Sequence, residues 1–453
     1  MALGIALALV AAGCGGHSAS EDEGASATTT TAPSSSDGTG TKAGQFGTMD
    51  EAVCGPGDAK GSGDQGVSDD SIKIGTMTDA GNTIIPGLLG ELVDSSQAFV
   101  KWCNAAGGIN GRKIELTVHD TKLVEGQQRI TEACGTDFML VGGASGLDGP
   151  LAAPRVACGL PQIPAFTGDP AAQEAKLQVM PIFGDYAGYL PYGRVYNMAK
   201  EQLPEGIKKF AFLVGTEGTD TKPNSVKYPE ALKAALGYHT VSTGATPPPP
   251  GTVDNWRPYI EPMKSGGAQV LEFQHIADYL VPFMNSFADT GFKPKMMING
   301  PGAYSSTLIK GNDALADVPT YVESYIYPFE GAADNPPTQQ FLDAMDASKP
   351  GWSKDPKALS AQSWSAWLLF AQSAKACGSD LTRNCVMDKA ANAGKWDAGG
   401  LIAPGTISVG KPEGPLCTVI LDATPDGFKI DEKLTKPTDG IFNCDAANRI
   451  PTS

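Results

Sequence analysis

From residue 70 onward the apolar positions alternate between two periods. Ser71-Ile72-Lys73-Ile74-Gly75-Thr76-Met77 has the two-residue period of a strand, and Leu89, Leu92, Ser96, Phe99, Val100 and Cys103 then recur every three or four residues, predicting a one-faced helix over about 86–104. Gly107-Gly108 ends that helix. Lys113 to His119 alternates again, a helix is predicted through 124–134, and Phe138-Met139-Leu140-Val141-Gly142 reads as a third strand. The pattern continues with strands at 162–166, 209–214, 238–243, 268–273, 295–298 and 321–327, and helices near 187–202, 226–236, 256–265, 278–290, 338–347 and 357–376. Strand–helix–strand repetition predicts an α/β fold with parallel sheets and right-handed crossovers. No repeat of 20–50 residues is visible, which argues against a solenoid.

The first seventy residues differ. Met1 to Gly13 are almost wholly small or apolar, and Val10-Ala11-Ala12-Gly13-Cys14 places small residues before a cysteine, which resembles a bacterial lipobox. That resemblance implies removal of residues 1–13 and a diacylglycerol on Cys14, anchoring the protein to the outer face of the cell membrane. No Lys or Arg precedes Lys42, so the basic region of a signal peptide is missing; a start further upstream and a plain apolar tail both fit. Residues 15–50 are rich in Ser, Thr, Ala and Gly and poor in large apolar side chains, and are expected to form a flexible tether within an extension that reaches residue 69.

Composition narrows the function classes. The chain has 453 residues, long enough for two domains, and no apolar run reaches the roughly 18 residues of a membrane span. With 34 Lys and Arg against 50 Asp and Glu the net charge is −16, the wrong sign for neutralising phosphates, so nucleic acid is not an expected partner. Apart from Cys14, eight cysteines remain at 54, 103, 134, 158, 377, 385, 417 and 444, an even number that predicts four disulfides in an exported protein. No CxxC or HxxxH pair occurs, and no metal or other cofactor is expected. Gly143-Ala144-Ser145-Gly146-Leu147 lacks the last glycine of a GxSxG nucleophile elbow, and no GxxxxGK[ST] loop is present, so catalysis is not expected.

The stretch FVKWCNAAGGINGRKIEL over 99–116, followed by Asp120, resembles the branched-chain amino-acid-binding family of type I periplasmic binding proteins. Its glycines have their own logic: Gly107-Gly108 lets the chain leave a helix through positive φ, and Asn110-Gly111 makes a tight turn before a strand. IKIGTMTDAGN at 72–82, LVGGASG at 140–146 and GLPQIPAFTG at 159–168 keep step with the same family. The resemblance implies two Rossmann-like lobes joined by three crossovers, lobe 1 over 70–184 and 319–400 and lobe 2 over 185–318 and 401–445. It also implies a monomer that captures a small solute between the lobes for an ABC permease. A sensor of the same fold, or a surface lipoprotein with no transport role, are the alternative readings. By the same resemblance Cys103 pairs with Cys134. Local pairing is expected for Cys377 with Cys385 and for Cys417 with Cys444, which leaves Cys54 with Cys158.

Ligands of open α/β sheets sit beyond the carboxyl ends of the strands, so the loops there supply the candidate contacts. After the first strand these are Asp79 and Asn82. The Gly142–Gly146 loop, with Ala144 and Ser145, offers backbone N–H groups and a hydroxyl suited to an anion, and in the family it holds the ligand carboxylate. Phe166, Thr167 and Gly168 occupy the family's second contact position. In the second lobe the candidates are Glu217, within the acidic GTEGTD run, His275 and Tyr304. Pro301-Gly302 stands where amino-acid binders commonly place a Glu for the ligand ammonium, so an ordinary amino acid is the ligand to doubt first, in favour of a larger carboxylate, amide or hydrophobic solute.

Overall fold

In the computed structural model, which describes residues 42–61, 63–181, 188–215, 224–246, 253–407 and 416–452, the first predicted strand is β1 (Ser71–Thr78). It is flanked by β2 (Lys113–Asp120) and β3 (Met139–Val141), and β4 (Gln162–Ile163) follows, giving a parallel four-stranded sheet in the order β2-β1-β3-β4. The pattern within each strand reports its position. β1 is central and buried along nearly its whole length, whereas β2 at the edge alternates buried and exposed side chains. β4 is shorter than expected because Pro164 follows Ile163 and has no N–H for a ladder.

The second sheet has seven strands, β5 (Phe210–Val214), β6 (Thr240–Ala245), β7 (Val270–Gln274), β8 (Met296–Asn299) and β9 (Thr320–Ser324), then β12 (Val419–Thr424) and β13 (Gly427–Ile430), in the order β13-β12-β9-β8-β7-β5-β6. The first five run parallel, and β12 and β13 extend the edge antiparallel. A separate hairpin pairs β10 (Gly394–Trp396) with β11 (Gly405–Ile407). β9 belongs to the second sheet, so the chain returns to lobe 1 after Ser324 and not at 319. The expected strand to 327 stops there because Tyr325 to Tyr327 become a crossover, which runs antiparallel to Leu401–Ala403 through Tyr327 N to Leu401 O (2.8 Å) and Ala403 N to Tyr325 O (2.7 Å).

Helices cover the faces of both sheets close to where the period predicted them, Gly90–Ala105, Gly126–Thr136, Asn224–Leu236, Ala277–Thr290, Pro336–Ser348 and Ala358–Cys377 among them. The Gly107–Gly111 turn is as expected: Gly107, Gly108, Asn110 and Gly111 all have positive φ, and Ile109 bridges Arg112 across it. A β-carbon on Gly108 would lie 2.1 Å from the Arg112 carbonyl oxygen, so the motif is a packing requirement.

Two expectations about the N-terminal half need correction. Residues 42–50 are not part of a free tether. Phe46 is fully buried in an aromatic cluster with Trp102 and Trp364, which also touch Phe99, and Gly47 N donates to Gln340 Oε1 at 2.8 Å. One aromatic residue in a low-complexity segment finds a partner cluster on the domain, beside the crosslink that Cys54 makes. The disulfides join Cys54 to Cys103 and Cys134 to Cys158, and not Cys103 to Cys134 or Cys54 to Cys158. The reason is the same strap: residues 42–61 lie over the helix Gly90–Ala105, with Gly55 N bonded to Gly108 O, which brings Cys54 onto Cys103 and leaves Cys134 for the end of the next helix, Gly149–Ala157. Cys377–Cys385 and Cys417–Cys444 pair locally, as predicted.

Candidate functional site

Lobe 1 changes strand order between β1 and β3, and the loops beyond β1, β2 and β3 meet there. Their organiser is Asp79. Its buried carboxylate accepts from Leu123 N (2.8 Å), Gly146 N (2.7 Å), Ser145 Oγ (3.4 Å) and the Thr121 hydroxyl, so one side chain ties three loops together. The Gly142–Gly146 loop thus gives the Ser145 hydroxyl and the Gly146 N–H to the chain's own Asp79 side chain. Ser145 Oγ also contacts Thr121 Oγ1 (3.1 Å) and accepts from Leu147 N (3.3 Å), so its hydroxyl is engaged inside the lobe. Gly142 and Gly143 serve packing: β-carbons there would lie 2.3 Å from the Trp367 indole nitrogen and 2.2 Å from Met77 N.

Asn82 is likewise turned to its own backbone, accepting from Ile84 N (2.9 Å) and Ile85 N (2.8 Å) and donating to Lys122 O (3.0 Å). It thereby shapes the 84–89 loop. That loop forms one wall of an interlobe cavity of about 590 Å³, open to solvent. Leu88, Leu89 and Glu91 face it from lobe 1, Ile276, Asp278 and Tyr304 from lobe 2, and Lys357 and Leu359 from the start of the helix Ala358–Cys377. The lobes are joined at this point, since Ser305 bridges Lys357 and Ala358 N donates to Tyr304 O at 3.1 Å.

The charges of this cavity were not singled out from sequence. Lys357 Nζ lies 3.9 Å from Glu91 Oε2, and Asp278 stands in the first turn of the helix Ala277–Thr290. Burial raises the Glu91 carboxyl above its usual range, with Lys357 opposing the shift. The three residues come from segments far apart in the chain, and each looks like an ordinary helix-end charge, so no local signal marks them.

Of the second-lobe candidates, Tyr304 lines the cavity with its ring, but its hydroxyl points inward, donating to Glu330 and accepting from Phe329 N at 2.8 Å. Its ring packs on Phe329 and Phe428. His275 stands beside the cavity, stacked on Tyr279 with ring centroids 3.8 Å apart, and its Nδ1 accepts from Ile276 N at 2.9 Å. Glu217 lies outside the described residues, as does Cys14.

The remaining candidates gather at a second, mostly apolar hollow on lobe 1, also open to solvent, whose space of about 470 Å³ includes part of that solvent. Ala144, Ser145, Phe166 and Thr167 line it on the side of the strand ends, and Ile130 and Leu151 line it from the helices. Gly168 stands at its rim, where its N–H and that of Asp169 donate to Asp148 at 2.7 and 3.0 Å. Asp148 also lines the hollow, and its apolar surroundings push its carboxyl up to about 7 despite those two bonds. Arg155, nearly fully buried, donates to the carbonyls of Leu160, Leu177 and Lys176, and burial lowers it to about 10.

A family model described as periplasmic binding protein matches residues 71–416. No curated protein matches the sequence. Among solved structures, a fatty acid ABC transporter substrate-binding protein from Thermomonospora curvata is similar at 16% identity and TM-score 0.68, covering 88% of this chain and 99% of that one. A branched-chain amino acid transporter substrate-binding protein from Streptococcus pneumoniae, in complex with isoleucine, is similar at 16% identity and TM-score 0.63, covering 80% and 99%. A leucine binding protein from Thermotoga maritima reaches TM-score 0.62 at 14% identity, covering 80% and 97%. At these identities the likeness establishes the two-lobed fold.

Proposed function

Because the chain belongs to the periplasmic binding protein family, we propose that it is the extracytoplasmic solute-binding component of an ABC importer, closing its lobes on a carboxylate with an aliphatic body. The observation that carries this reading is the interlobe cavity, walled by Leu88, Leu89, Ile276 and Leu359 around the ammonium of Lys357. Apolar walls with a few placed charges are what orient a small ligand. The similar proteins named for fatty acids and for branched-chain amino acids share this ligand chemistry, a carboxylate on a hydrocarbon. Closure would couple to transport if the permease binds the closed form better than the open one.

Asp79, Asn82 and Ser145 are read as the frame of the site, fixing the loops that face the solute, with Leu88, Leu89 and Tyr304 among its walls. The strap of residues 42–61 fits the proposed lipid anchor on Cys14, because it ends a tether on lobe 1 through the Cys54–Cys103 bond.

Glu91 and Asp278 favour a second reading, a zwitterionic amino acid whose ammonium meets these acids while Lys357 meets its carboxylate. They supply what Pro301-Gly302 lacks. Native mass spectrometry of the full chain purified from its own host, followed by solution scattering with the molecule it retains, tests both readings. A retained aliphatic carboxylate that shrinks the radius of gyration supports the first, and a retained amino acid the second. No closure with either class defeats the proposal.

A further inference from the structure

The helix Ala358–Cys377 belongs to lobe 1, where Ser95 Oγ, on the helix Gly90–Ala105, donates to Ser360 O at 2.8 Å. The stretch 301–311 belongs to lobe 2: Ser305 caps the short helix Ser306–Ile309, and Asn285 Nδ2, on the helix Ala277–Thr290, donates to Gly311 O at 2.7 Å. These two parts meet without the chain passing directly from one to the other. Ser305 bridges Lys357, Ala358 N donates to Tyr304 O at 3.1 Å, and Lys310 Nζ lies 2.9 Å from Asp355 Oδ2. The ion pair is exposed and adds little, but Ala358 and Tyr304 are both buried.

The meeting point is packed onto the crossover at Tyr325 to Tyr327. Gln362, one turn into the helix Ala358–Cys377, donates to the Tyr325 hydroxyl at 2.8 Å. Just beyond the crossover, Phe329 N and Glu330 hold the Tyr304 hydroxyl, and the Tyr304 ring lies on Phe329 and on Phe428 of β13. In a hinge motion displacement grows with distance from the axis, which runs through the crossover segments. A contact seated on a crossover therefore moves little and can hold while the cavity opens. The walls that must part are others: Leu88 and Leu89 of lobe 1 share one apolar cluster with Ile276 of lobe 2. Lys357 stands at the meeting point and is held from both sides, its backbone by Ser305 of lobe 2 and its ammonium 3.9 Å from Glu91 Oε2 of lobe 1.

We propose that residues 304–310 and 355–359 form a non-covalent pivot that stays made as the lobes open and close, with Tyr304 as the residue that positions Lys357 upon it. On the reading of the interlobe cavity as the solute site, on which this consequence rests, Lys357 is in place before closure. The apolar walls then close towards a charge that is already set.

Ala358 reports on the pivot directly. As the first residue of its helix it has no acceptor within that helix, so its N–H owes its hydrogen bond to lobe 2 alone. The test measures residue-resolved hydrogen exchange and solution scattering on the full chain with no solute added. In the wild type Ala358 should exchange roughly a hundredfold more slowly than a free amide. Leu88→Glu combined with Ile276→Glu places two more carboxylates in a cleft that already holds Glu91 and Asp278. The radius of gyration should grow while Ala358 stays as protected as before. If the double variant does not fold, Ile276→Glu alone takes its place. Tyr304→Phe keeps the ring but strips Phe329 N and Glu330 of their partner, and should speed Ala358 exchange roughly tenfold while Trp364 to Ala371, in mid-helix, are unchanged. A general loss of stability would speed both alike.

Fast exchange of Ala358 in the wild type, or loss of its protection once the lobes part, makes the contact a latch and overturns the pivot. A radius that does not grow overturns it too, since no opening then turns about it. Ala358 exchange that is unchanged in Tyr304→Phe, or that rises equally along the whole helix, overturns the positioning role of Tyr304. No solute enters these measurements, so the pivot can fail while the reading of the cavity stands, and the reverse.

Discussion

Lobe 1 builds on four strands and is stitched by three disulfides, Cys54–Cys103, Cys134–Cys158 and Cys377–Cys385, whereas lobe 2 builds on seven strands and has one, Cys417–Cys444, near its C-terminal edge. Both face the same cavity, so the contrast concerns how each is held rigid behind it. A small sheet covers less apolar area and gains more from crosslinks that restrict the unfolded chain. Lobe 1 adds a second device, the aromatic cluster in which Phe46 of the strap meets Trp102, Trp364 and, through them, Phe99. Lobe 2 relies on the wider sheet and buries an acid inside it: Glu323, on β9, is buried and accepts from Val195 N at 2.7 Å.

The sharpest way to break this contrast is to remove the staple that holds the strap. Replacing Cys54 and Cys103 with alanine opens a crosslink spanning 49 residues and should cost about 4 kcal/mol by chain entropy. Amide hydrogen exchange should show the loss in lobe 1 and leave β5 to β8 protected; equal loss in both lobes would mean that they unfold as one unit. Phe46→Ala should cost about 3 kcal/mol by leaving a void among the aromatic rings, and limited proteolysis should then cut within 42–53. An unchanged cleavage pattern would show that the disulfide alone holds the strap.

The smallest effect concerns lobe 2 and depends on pH. Burial pushes the Glu323 carboxyl up to about 7, so the folded protein keeps a proton that the unfolded chain gives up above about 4.5. Stability therefore falls as pH rises through that window and levels off above it. Glu323→Gln should remove this share of the slope and stabilise the protein at pH 8 by roughly 2 kcal/mol, with little change at pH 4. Thermal unfolding at the two pH values checks it. Part of the slope should persist, because Asp148 in lobe 1 is raised to the same range.

The frame was legible in the sequence because it is written in local rules. Strand and helix periods located most of the elements before residue 377 to within a few residues, missing the helix Gly149–Ala157 and β10 to β13, and Gly107-Gly108 with Asn110-Gly111 marked one turn through backbone geometry that few other residues tolerate. Asp79 and Ser145 were expected to face a solute because they follow strands at the carboxyl edge. Whether their polar atoms face a ligand or each other was not legible, since 66 residues separate them and only the packing of three loops brings them together. Glu91, Asp278 and Lys357 gave no signal at all: each is an ordinary charge near a helix start until the lobes are set against one another.

What the sequence determined by itself is therefore the order of strands and helices, the carboxyl-edge loops and the even count of cysteines, all properties of short windows or of composition. Tertiary structure alone decided which cysteine met which, that Phe46 anchors a segment otherwise too polar to fold, and that the hydroxyl and amide groups expected to hold a solute are spent on Asp79. Each of those outcomes depends on surfaces brought together from distant parts of the chain, where burial and geometry select among partners that local sequence leaves equivalent.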